Sequence, residues 1–72
     1  MEGTAACILN AANEVSVEAF LNEKISFLDI ADINEQTMLG VPMVHEPLYE
    51  DYVESDLKAR EFASGLVSKL AR

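Results

Sequence analysis

The sequence predicts an all-α fold: a small bundle of three to four helices, the last of them long. Three observations carry this. Apolar side chains recur at helical spacing in three separate segments, and no segment alternates between apolar and polar residues as a half-buried strand does. The chain breakers Gly40, Pro42 and Pro47 gather in one place, between two of the helical segments.

The first helix is expected over residues 4–22. Ile8, Ala12, Val15 and Ala19 share one stripe, with Leu9 and Phe20 on its flank. Thr4, after Gly3, stands where an N-cap belongs. Lys24-Ile25 makes a short connection, and Ser26-Phe27-Leu28-Asp29 has the spacing of a capping box. The second helix is expected over 27–39, with Phe27, Ile30, Ala31, Ile33 and Met38 inward. Gly40 serves as its C-terminal cap, and Pro42 lies two residues beyond. Residues 41–46 form the one long loop. The third helix is expected over 48–71, with Tyr49, Tyr52, Val53, Ala59, Ala63, Leu66, Val67 and Leu70 on one face. Because that stripe keeps phase across Asp56, the continuous helix is favoured over two shorter ones capped at Ser55-Asp56. Gly65 weakens the helix by about 1 kcal/mol relative to alanine.

Composition narrows the function classes. The chain has 72 residues, half of them apolar, and 13 acidic against 5 basic side chains leave a net charge of −8. A binder that tracks nucleic-acid phosphates needs clustered cations, and an anionic membrane surface repels the same excess of carboxylates, so neither partner is expected. The longest apolar run, Ala5 to Leu9, is too short for a bilayer span. A single cysteine, Cys7, cannot form an internal disulfide and points to a reducing, cytoplasm-like compartment. A domain this small sits where one hydrophobic core is marginal, so burial against a larger partner fits as well as independent folding.

Two features of the helices say more. Val17 and Leu21 lie nearly opposite Ile8 and Ala19, with Asn10 and Asn13 beside them, so the first helix has apolar residues on both sides. Such a helix is commonly buried on both sides, and the second side would then face something outside this bundle; single exposed apolar residues are the plain alternative. In the third helix, Asp56 and Arg60 interrupt the apolar stripe at i, i+4 spacing, which suits an ion pair. Asn10, Asn13 and Glu14 are the natural polar partners for it. A structural clasp is the expected role, and Arg60→Ala is expected to destabilise the domain by leaving Asp56 without its partner.

No catalytic, cofactor-binding or metal-binding residue is expected. His45 is the only histidine and sits in the loop beside Glu46, with no second ligand to build a zinc site. Cys7, among alanines inside a helix, reads as a small packing residue. Asp29, Asp32 and Glu35 lack a glycine-centred calcium loop and read as a solvated acidic face.

One stretch is more specific. Residues 3–21, with the core Leu9-Asn10-Ala11-Ala12-Asn13-Glu14-Val15, closely resemble the start of the C-terminal helical domain of the 1-deoxy-D-xylulose 5-phosphate reductoisomerase family. Ile25-Ser26-Phe27-Leu28-Asp29-Ile30-Ala31 resembles the start of that family's second helix, and Asp56-Leu57-Lys58-Ala59-Arg60-Glu61 matches its Asp-x-x-Ala-Arg pattern. The resemblance covers nearly all of the chain, with residues 38–52 least typical.

The resemblance implies one part of a larger enzyme: 1–72 as a single helical domain beside an NADPH-binding domain and a catalytic domain. The family's enzymes convert 1-deoxy-D-xylulose 5-phosphate to 2-C-methyl-D-erythritol 4-phosphate in the non-mevalonate route to isoprenoids. They use NADPH and a divalent metal, magnesium or manganese, both held by the upstream domains. The implied partner is the catalytic domain of the same enzyme, within a homodimeric parent in the bacterial cytoplasm or plastid stroma. The implied role is structural, with Asn10, Asn13, Glu14, Asp56 and Arg60 at the joint of the first and last helices and Val17 and Leu21 toward the partner. The alternative is a free-standing acidic helical carrier or adaptor. An acyl carrier, for instance, needs an exposed serine in an Asp-Ser-Leu context at a helix start, whereas Glu54-Ser55-Asp56-Leu57 has another order and falls mid-helix.

Overall fold

A computed structural model of the protein describes residues 3–71, so residues 1, 2 and 72 of the expected 1–72 domain lie outside the described part. Three helices follow in order: α1 (Ala5–Leu21), α2 (Phe27–Gly40) and α3 (Tyr49–Leu70). Among the described residues there is no strand. The third helix is a single element of 22 residues, about 33 Å long at 1.5 Å per residue, which accounts for most of the 38 Å long axis.

The core is built mostly from small side chains. Ala12, Ala19, Ile25, Ile33, Ala63 and Val67 form one buried cluster, with Val15, Phe20, Ile30 and Leu66 packed around it. Ile8, Ala11, Val41 and Ala59 form a second, with Met38 against it. Ala11 and Ala12 of α1 and Ala59 and Ala63 of α3 have no exposed surface. Alanines on both helices let the two backbones approach closely, and interhelical distance follows the size of the side chains at the contact.

The helix ends show how the sequence closes each element. Asn22 ends α1, followed by Glu23 at φ 60°. The Glu23 amide donates to the Phe20 carbonyl and the Lys24 amide to the Ala19 carbonyl, both at 2.9 Å, which is a Schellman closure made without glycine. At the start of α2 the capping box is present: the Asp29 carboxylate accepts from the Ser26 amide at 2.9 Å and from its hydroxyl at 3.0 Å. The start of α3 is half of the same device, since Leu48 has no side-chain acceptor but its amide donates to the Asp51 carboxylate at 2.9 Å.

Several expectations need correction. Thr4 occupies the cap position of α1, yet its side chain makes no cap hydrogen bond. Its hydroxyl accepts the Val44 amide at 2.9 Å instead, and its own amide donates to the Val44 carbonyl at 3.0 Å. Gly40 is the last residue of α2 and not a left-handed cap; Val41 caps the helix in an extended conformation. Glycine suits position 40 because a Cβ there would run into the Phe62 ring. Phe27 and Ala31 are exposed and not inward, while Thr37 is buried, its hydroxyl donating to the Ile33 carbonyl at 2.7 Å. On α3 the buried residues are Ser55, Ala59, Ala63 and Val67. Tyr49, Tyr52, Val53 and Leu70, expected on the packed face, are exposed.

Gly65 sits on the exposed side of α3 with nothing within 4 Å of an added Cβ. Gly65→Ala is therefore expected to stabilise the chain by about 0.5–1 kcal/mol through the lower backbone entropy of the unfolded state, read as a higher urea midpoint at unchanged slope.

Candidate functional site

The polar residues singled out in the sequence fall into two groups, one on each side of α1. On the α3 side, the Arg60 Nε donates to Asp56 Oδ2 at 2.9 Å, one turn back along the same helix. The Arg60 Nη2 crosses to Glu14 Oε2 of α1, also at 2.9 Å, and Asn10 Nδ2 donates to that same oxygen at 3.1 Å. The guanidinium thus ties α3 to α1, and Asn10 holds Glu14 in position for it. The hydrogen bonds that Arg60 donates to Asp56 and then to Glu14 keep it protonated even beyond its ordinary range.

Asn13 was expected in the same group and is not there. It turns to α2, where Asn34 Nδ2 donates to its Oδ1 at 3.1 Å. Beneath them lies the hydroxyl of Ser16, fully buried, 2.9 Å from Asn34 Oδ1 and 3.2 Å from the Asn13 carbonyl. Ser16 and Asn34 were not legible as a pair, because a serine or asparagine on a helix gives no sign in sequence of which neighbour it meets.

The clasp between α1 and α3 is open to water, with side-chain exposures of 40% for Arg60, 54% for Glu14 and 35% for Asp56. Ion pairs at such exposure contribute little, because either partner can be rehydrated when the other is lost. The expected consequence of Arg60→Ala is accordingly mild: a drop in melting midpoint clearly smaller than that of a core truncation such as Ile33→Ala. An equal drop would show that Asp56 is stranded in the way a buried carboxylate is.

None of these groups assembles into a reactive centre. Burial pushes the Cys7 thiol above its ordinary range, the Asp56 carboxylate adds to the shift and Arg60 opposes it; a thiol held protonated is a poor nucleophile. Its Sγ lies 3.5 Å from the Tyr52 carbonyl. Asp32 accepts from Gln36 at 2.8 Å, and His45 is exposed in the loop. Among the described residues no group of three His, Cys, Asp or Glu side chains could hold a metal ion. Ser55, the attachment point that a carrier reading requires, is buried in the body of α3 at 4% exposure, out of reach of a modifying enzyme. No helix among the described residues is long and apolar enough to cross a membrane.

Several large apolar side chains are also exposed. Leu21, Phe27 and Leu28 are 72%, 69% and 82% exposed, and Val17 is half-buried. The Phe27 ring meets Phe20, itself packed against the core, edge-on at 5.7 Å between centroids.

Fold and side-chain contacts together define a small all-α domain whose polar groups join its helices. The chain belongs to the family of DXP reductoisomerase C-terminal domains, whose family model matches residues 1–62. Among its relatives are proteins named 1-deoxy-D-xylulose 5-phosphate reductoisomerase. The one from Phocaeicola vulgatus is 56% identical over 66 residues, 92% of this chain and 17% of that protein. The Bacteroides fragilis protein is 51% identical over 67 residues, and that of Psychrobacter arcticus 47% over 70; each match covers 93% of this chain and 17% of the relative. The chain thus spans about a sixth of the length of the curated relatives it matches.

Proposed function

We propose that the chain acts as the C-terminal domain of a reductoisomerase that converts 1-deoxy-D-xylulose 5-phosphate to 2-C-methyl-D-erythritol 4-phosphate, packing against and supporting that enzyme's catalytic domain. The observation that carries this reading is the family match over residues 1–62, together with relatives that bear the enzyme's name and run about six times longer than this chain. The role is structural. Glu14, Asp56 and Arg60, with Asn10, fix α3 on α1; Asn13 fixes α2 on α1; Val17 and Leu21 face the rest of the enzyme. In this reading metal and NADPH are bound by the remainder of the polypeptide, where they supply polarisation of the substrate and hydride transfer. A bacterial cytoplasmic setting and a homodimeric parent belong to the same reading.

An antibody raised against the chain tests it. The expected result is a polypeptide in source cells several times larger than 7.9 kDa, which after purification oxidises NADPH when given 1-deoxy-D-xylulose 5-phosphate and a divalent metal. A native polypeptide of the small size, or a large one without that activity, would overturn it.

A further inference from the structure

We draw no further inference here: the strongest candidate, the exposed apolar strip of Tyr49, Val53 and Leu57 along the N-terminal half of α3 with Glu50 and Glu54 beside it, carries none, because nothing in the structure shows what covers it.

Discussion

Ile33→Ala is expected to destabilise the chain by about 2–5 kcal/mol, the range for truncating a fully buried isoleucine, where lost transfer energy and the cavity left behind add. Ile33 has no exposed surface and sits in the cluster of Ala12, Ala19, Ile25, Ala63 and Val67. Three of the other five buried members of that cluster are alanines, which have no rotamers with which to fill a void. For a chain of this length total stability is about 4–11 kcal/mol, and one such loss takes a large share of it. The check is chemical denaturation, with the midpoint falling at unchanged slope. Leu28→Ala, at 82% exposure on the same helix, is expected to change stability by no more than about 0.5 kcal/mol. If the two substitutions had equal effects, the assignment of Ile33 rather than the outer leucines to the core would be wrong.

That contrast also marks how far the sequence could be read. Three helices, their order and the continuity of the last were legible because apolar spacing, one capping box and one cluster of breakers all agreed. The inner face of α1 was legible for the same reason, since Ile8, Ala12 and Ala19 are buried as spacing predicts. The faces of α2 and α3 were only half legible. A wheel ranks Phe27, Tyr49 and Tyr52 as inward because they are large and apolar, but burial depends on whether another element lies beside that turn. The buried residues of α3 are instead Ser55, Ala59, Ala63 and Val67, and α2 buries Thr37, residues most of which carry weak hydropathic signal. The closure of α1 was illegible because glutamate, not glycine, takes the left-handed position at residue 23.

The candidate site divides in the same way. The pairing of Asp56 with Arg60 followed from i, i+4 spacing, which is local geometry. Its extension to Glu14 and Asn10 required only that α1 and α3 be neighbours, and they are. Asn13 went to the other side because it lies about 100° around the helix from Glu14, so a single helix step decides between two partners. Sequence proximity put Asn10, Asn13 and Glu14 in one group; the helix separates them.

Gly3→Ala is expected to cost about 2–5 kcal/mol, although the residue belongs to no helix and lies at the edge of the described chain. Two effects combine. An L side chain at φ +58° sacrifices roughly 1–2 kcal/mol of backbone preference. The new Cβ also meets the Val44 carbonyl, which must then withdraw from the Thr4 amide, and a buried donor left without its acceptor costs about 1–3 kcal/mol. Thr4→Val isolates the other half of the joint, because it keeps the shape of the side chain while removing the hydroxyl that accepts the Val44 amide. Since both substitutions act through the position of Val44, their effects should not add: the double variant is expected to lose less than the sum of the singles, whereas distant sites add within about 0.5 kcal/mol. Denaturation midpoints of the three variants measure this directly. Strict additivity would mean that Gly3 serves only its own backbone angle, and that the joint does not hold the loop after α2 to the start of α1 as one unit.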